Sequence, residues 1–176
     1  MKPIENYSIT LFDTNKSESF FKLIDDNRVN LEDYFAGTVS RTKTLGATKM
    51  YCDVIKSKII QKKYFPYVIV KDDTQEFVGW IDVKNIDWDT QKAELGYFVD
   101  SKHEGKGIVT QSLGTVIDHV VKKYNFKKLL CRVSSTNKGS IAVAVKNGFE
   151  LEGTIRRDYK TTKGELIDLN YYGRIF

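Results

Sequence analysis

The sequence predicts an α+β (mixed α/β) fold, a central mixed sheet of about seven strands with helices on both faces, and three observations carry that prediction. Apolar runs at 66–71, 77–86 and 92–99 are separated only by short polar turns, DDTQ and DWDT, which makes them an antiparallel meander. The third run then passes through a glycine-containing loop into a long amphipathic helix and on to another apolar run at 128–133. A strand, helix, strand sequence of that length forces a parallel, right-handed crossover. Two last runs, 149–159 and 166–175, are joined through TTKG as a closing hairpin.

The remaining elements precede the meander. Residues 7–12 alternate, with Ile9 and Leu11 on one face, as a first strand. Residues 13–17 offer several N-cap side chains ahead of a helix with Phe20, Phe21, Leu23 and Ile24 at helical spacing. A second helical piece is expected at 31–35, a polar loop at 37–44, and a longer helix at 44–64 with Ala47, Tyr51, Val54, Ile55 and Ile59 on its apolar side. After the meander, the long helix carries Val109, Leu113, Val116, Ile117, Val120 and Tyr124 along one stripe. A shorter helix at 138–147 stops at Asn147-Gly148.

Composition narrows the function. The 176 residues, 41% hydrophobic and 29% charged, suit one domain spanning 1–176 with a real core. No apolar run has the length of a signal peptide or a membrane span, so the expectation is a cytoplasmic protein with no membrane partner. Two cysteines and two histidines support neither a disulfide framework nor a zinc site, so no metal is expected. The net charge of +5 arises from 28 basic and 23 acidic residues without long blocks of one sign. Such a balance suits an anionic small molecule and does not call for nucleic acid.

The chemistry concentrates where the 92–99 strand meets the long helix. The first amides of a helix have no intrahelical partner and sit at the positive end of the macrodipole, so a phosphate is stabilised there by backbone alone. Gly105 and Gly107 allow close approach and positive φ. The nucleotide-binding patterns GxxxxGK[ST] and GxGxxG are both absent. What is present, AELGYFV followed by HEGKGIVTQSL, resembles the signature [RQ]-x-x-G-x-[GA] of the GCN5-related N-acetyltransferases (GNAT). STNKGSIAVAVKNGFELEG and the terminal LIDLNYYGRIF are similar to the RimJ/RimL branch, the ribosomal-protein N-acetyltransferases and their relatives.

That resemblance implies an acetyl-CoA-dependent N-acetyltransferase with no metal. It implies that the amides of Gly105, Lys106, Gly107, Ile108, Val109 and Thr110 hold the pyrophosphate, and that the backbone of Phe98 and Val99 pairs with the pantetheine arm. The pattern's first position is Glu104 and its last Val109, both departures from the family. Two readings of Glu104 stay open, a weakened grip on the cofactor and a side chain turned to solvent. Lys102, Lys106 and Lys138 are candidates for the cofactor's remaining phosphate. By the resemblance, Asn137 contacts the pantetheine arm and Ser140 hydrogen-bonds the departing thiolate; otherwise both are ordinary N-cap residues. Many relatives place a tyrosine where this chain has Ala144.

Glu94 is the candidate base, on the face of its strand opposite Ala93, Leu95 and Tyr97. Its plainer reading is a strand carboxylate paired with a lysine of the neighbouring strand. Cys131 lies in an apolar run and reads as a small buried hydrophobe, which disfavours a ping-pong route. His103 could approach the cofactor but reads as a turn residue. For the acceptor, a protein N-terminal α-amine, with a pKa near about 8, keeps a useful neutral fraction at neutral pH, and a lysine near about 10.4 does not. Small-molecule amines (antibiotics, amino sugars, polyamines) stay open, as do a non-catalytic acyl-CoA-binding module and a homodimer. A basic nucleic-acid-binding domain is the remaining, weaker class.

Overall fold

The computed structural model describes Met1 and residues 4–176. Seven strands form one sheet in the order β1-β2-β3-β4-β5-β7-β6: β1 (Tyr7–Leu11), β2 (Phe65–Lys71), β3 (Phe77–Asp87), β4 (Lys92–Val99), β5 (Lys128–Ser134), β6 (Glu150–Lys160) and β7 (Leu166–Ile175). The mixed sheet and the flanking helices match the expected class. The first four strands run antiparallel, β5 lies parallel to β4, and β7 then β6 complete the sheet antiparallel.

The alternation of each strand divides the core between two faces. On one, Ile9, Tyr67, Ile69, Ile81, Leu95 and Tyr97 pack against the stripe Ile108, Leu113, Val116, Ile117 and Val120 of α5 (Ile108–Tyr124), with Ala144 of α6 (Lys138–Lys146) alongside. On the other, Val68, Val70 and Trp80 pack against Phe20, Leu23 and Ile24 of α1 (Ser17–Asp26), Leu31 of α2 (Arg28–Leu31), Val39 of α3 (Ala36–Arg41), and Cys52 and Ile55 of α4 (Leu45–Ile60). Trp80 anchors this second core, stacked on Phe20 with centroids 4.5 Å apart.

Three expectations need correction, all among these early helices. The second helix is α2 at Arg28–Leu31, not 31–35. Much of the expected 37–44 loop is α3, a short helix held by tertiary contacts: Arg28 donates to the carbonyls of Val39 and Thr42, and the Ala36 amide donates to the Tyr159 hydroxyl at 2.8 Å. Those bonds satisfy the end groups that a short helix otherwise leaves to water. Finally, α4 ends at Ile60 and buries Thr48, Cys52 and Ile55, leaving Val54 exposed. Thr48 disguises that stripe, because its hydroxyl donates to the Thr44 carbonyl and so enters the core satisfied.

The feature that positions the site is a split in the sheet. β4 and β5 pair only at Lys92↔Lys128, Ala93↔Leu129 and Glu94↔Leu130, while β5 goes on pairing with β7 as far as Ser134↔Leu169. Beyond Glu94, β4 therefore presents an open edge.

Candidate functional site

The amide of Asp100 donates to the Val78 carbonyl at 2.8 Å, so Asp100 and, by alternation, Phe98 and Gly96 direct their N–H and C=O groups at β3. Leu95, Tyr97 and Val99 consequently direct theirs into the split. Of the two residues expected to pair with a pantetheine arm, Val99 belongs to the free edge, and Phe98 faces Trp80 through its backbone. Tyr97 holds the floor of the split from the α5/α6 side. Its phenol donates to the Ser140 carbonyl at 2.7 Å, and burial pushes that phenol well above the ordinary tyrosine range.

At the head of the split, a 3-10 turn at Ser101–His103 leads into the glycine loop. Gly105 and Gly107 both adopt φ +73°, the left-handed region in which a side chain would be strained, and Gly107 is the N-cap of α5. Among the described residues, the amides from Gly105 to Thr110 have no intramolecular acceptor; the first amide of α5 to find one is that of Gln111, bonded to the Gly107 carbonyl at 3.1 Å. A run of free amides at a helix N-terminus is an anion cradle. Glu104 is exposed, lines the cleft and forms no ion pair among the described residues.

One cleft of about 830 Å³ runs from the cradle through the split to the opposite side of the sheet. Its walls include Glu94, Phe98, Val99, Glu104, Gly105, Gly107, Ile108, Val109, Thr110, Asn137 and Ser140, so the structure brings together all the expected site residues except Lys102 and Lys106. The Lys106 ammonium turns back to the Lys102 carbonyl at 3.2 Å, whereas Lys138 and the unforeseen Lys146 line the cleft. Asn137 caps α6, its Oδ1 accepting from the Ser140 amide at 3.0 Å. The Ser140 hydroxyl has no intramolecular partner among the described residues. Ala144 is fully buried against the sheet, and Cys131 is likewise enclosed, its thiol pushed well up by burial. His103 lines the cleft and a second, smaller cavity beside α1.

On the far side of the sheet Glu94 sits in a charge network that sequence reasoning only half found. The expected lysine partner is Lys84, directly opposite on β3, 3.6 Å from Glu94 Oε1 and 3.5 Å from Asp82. Arg132 on β5 donates to Glu94 Oε2 at 2.8 Å and to Asp158 at 3.2 Å, and Asn85 donates to the same Oε2 at 2.7 Å. Burial opposes the charge on Lys84, yet Asp82 and Glu94 outweigh it and hold the ammonium above the ordinary lysine range. Asp82 is in turn fixed by the Tyr64 hydroxyl at 2.8 Å and the Gly96 amide at 3.1 Å. The alternation that puts Cys131 in the core puts Arg132 on Glu94's face, and that was the available signal.

An anion cradle at a helix start, opening onto a parted pair of parallel strands with an acidic group at the far end, makes a cleft suited to a phosphorylated ligand. Residues 10–150 match the acetyltransferase (GNAT) domain family, and the chain belongs to that family. Among curated proteins it is 32% identical over 109 residues to the ribosomal-protein-serine acetyltransferase of Escherichia coli, a match covering 62% of this chain and 59% of that protein. The chain thus spans less than two thirds of that relative's length. Among solved structures, the fold is shared with RimL, a ribosomal L7/L12 alpha-N-protein acetyltransferase in complex with coenzyme A (TM-score 0.89, 21% identity, 99% of this chain and 97% of that one). It is shared equally with the microcin C7 self-immunity acetyltransferase MccE in complex with acetyl-CoA and AMP (TM-score 0.87, 20% identity, 100% and 96%).

Proposed function

We propose that the chain is an acetyl-CoA-dependent N-acetyltransferase that transfers the acetyl group directly to a primary amine, in the cytoplasm, with a protein N-terminal α-amine as acceptor. The observation that carries this reading is the run of partnerless amides from Gly105 to Thr110 at the head of a cleft that passes through the β4/β5 split. The residues fit the co-substrate. The cradle suits its pyrophosphate, and the free edge at Tyr97 and Val99 suits an added strand from its pantetheine arm, with Asn137 across the split. When bound, the thioester supplies an activated acyl group.

The chain's residues then divide the remaining work. Ser140 offers an unpartnered hydroxyl beside the arm, suited to hydrogen-bond the leaving sulfur. Glu94 Oε1 accepts no hydrogen bond from the chain among the described residues, and takes the amine's proton through water. A neutral fraction of an α-amine already exists at neutral pH, so this proton need only be accepted as attack proceeds. The E. coli relative, named for a ribosomal-protein serine, supports the choice of acceptor. Cys131 is enclosed and takes no acyl group in this scheme.

The test is calorimetric titration with acetyl-CoA against free ADP, followed by coenzyme A release with N-terminal peptides. Binding that needs the acetyl-pantetheine arm, together with amine-dependent release, is expected. Binding without release would leave an acyl-CoA-binding module, and no binding would remove the assignment of the glycine loop.

A further inference from the structure

The acceptor end of the cleft is closed by a strap between α2 and α3. Phe35 packs edge-on against Phe98 with centroids 5.1 Å apart, its ring also faces the Lys84 ammonium at 5.7 Å, and the next residue, Ala36, is bonded to Tyr159. Asp33 lies in this strap, half-buried, lining the cleft. Of the carboxylates on this side, Asp82, Glu94 and Asp158 are all ion-paired or hydrogen-bonded, and Asp33 alone has no partner among the described residues. Asp33 and Tyr159 line the same cleft.

The balance of charge is informative. The ion-paired cluster sets two cations, Lys84 and Arg132, against three carboxylates, Asp82, Glu94 and Asp158, and Asp33 adds a further carboxylate to the cleft lining. Neither cation is free, since Lys84 is shared by Asp82 and Glu94, and Arg132 by Glu94 and Asp158. A substrate carboxylate entering here would meet like charge without an available counter-ion, whereas an ammonium would meet an unpaired carboxylate.

Resting on the acetyl-transfer reading above, we infer that Asp33 receives the acceptor's ammonium group, and that the pocket selects amines lacking an adjacent carboxylate, peptide N-termini and amides over free amino acids. The inference adds a specificity residue to the site: Asp33 docks the charged amine, whose first proton passes to solvent, and the proton released as the neutral amine attacks goes toward Glu94.

The experiment measures coenzyme A release for three acceptors with one side chain, a peptide amide beginning with serine, serinamide and free serine. The unaltered protein is expected to show an acceptor KM for free serine about tenfold or more above that for serinamide. Asp33→Asn should raise the serinamide KM by about tenfold, the size of a lost charge-assisted hydrogen bond, and Asp33→Glu should recover much of it. KM for acetyl-CoA should not follow, and the thermal midpoint should hold, because the Asp33 side chain has no partner among the described residues. An unchanged acceptor KM in Asp33→Asn, or free serine used as well as serinamide, overturns the inference while leaving acetyl transfer intact. Release with none of the three amines, at saturating acetyl-CoA, overturns both.

Discussion

Replacing Gly96 by alanine tests the packing that holds the open edge of β4. A Cβ built at Gly96 would lie 2.5 Å from Asp82 Oδ1, 2.8 Å from Lys84 Nζ and 3.4 Å from Asp82 Cγ. The lysine end can swing aside, but Asp82 is 3% exposed and tied through Oδ2 to the Tyr64 hydroxyl. It cannot retreat without breaking that bond or the one from the Gly96 amide. Overpacking of a core site costs about 1–3 kcal/mol, and a lost hydrogen bond to a buried carboxylate about 1.5–3 kcal/mol. The two overlap, so a loss of about 3 kcal/mol is expected, which for a chain of this size lowers the thermal midpoint by roughly 6–12 °C. Circular-dichroism melts at neutral pH provide the assay, with Gly105→Ala as comparison. Nothing lies within 4 Å of a Cβ at Gly105, so only the strain of φ +73° remains there, about 1 kcal/mol or roughly 2–4 °C. Equal shifts for the two variants, or a Gly96→Ala midpoint within about 2 °C of the parent, would refute the argument that Asp82 is immobile.

Glu94→Gln keeps the shape of the side chain but removes the charge proposed to accept the proton, so kcat should fall by about a hundredfold with little change in the KM for acetyl-CoA; an unaffected kcat would remove Glu94 from the reaction. Burial pushes the Cys52 thiol up to about 11 and raises Cys131 further. Both should resist a thiol reagent at mildly alkaline pH until the protein is unfolded, and rapid native labelling would contradict the packing. Because these folded values are raised, the associated stability is complete below the unfolded thiol pKa of about 8.5 and is lost as the pH climbs through about 11. A urea midpoint that rose over that interval would reverse the sign.

The sheet was legible in the sequence because short turns and two-residue alternation are local. The runs at 92–99 and 166–175 coincide with β4 and β7, and Glu94's face followed from counting along the strand. Gly105 and Gly107 marked the cradle for the same reason, since positive φ is a local demand. What could not be read depends on contacts distant in sequence. The α3 helix is held by Arg28 and Tyr159, and Arg132 joins Glu94 only because β5 lies parallel to β4. The split itself is a register effect: β5 stays with β7 while β4 stays with β3, and no residue at the point of parting announces it.

The two ends of the cleft meet at Asn27, which gives the early helices a mechanical link to the cradle. Asn27 is 3% exposed at the junction of α1 and α2; its Nδ2 donates to the Leu23 carbonyl at 2.9 Å, and its Oδ1 accepts from the Ser101 amide at 3.0 Å. Ser101 opens the turn that leads into the glycine loop, and α2 leads into the strap that bears Asp33. Any shift of the strap on acceptor binding would pass through the Asn27–Ser101 bond to the turn that precedes the cradle amides. Asn27→Leu keeps the volume and strands the Ser101 amide, a loss of about 1–3 kcal/mol. If Asn27 only stabilised the fold, the thermal midpoint alone would move. The link requires more: acetyl-CoA should bind about tenfold or more weakly by calorimetry, and ADP, whose pyrophosphate would meet the same amides, should weaken with it. An unchanged acetyl-CoA affinity with a lowered midpoint would show that the cradle holds its geometry without α1 and α2, and that the two ends of the cleft act independently.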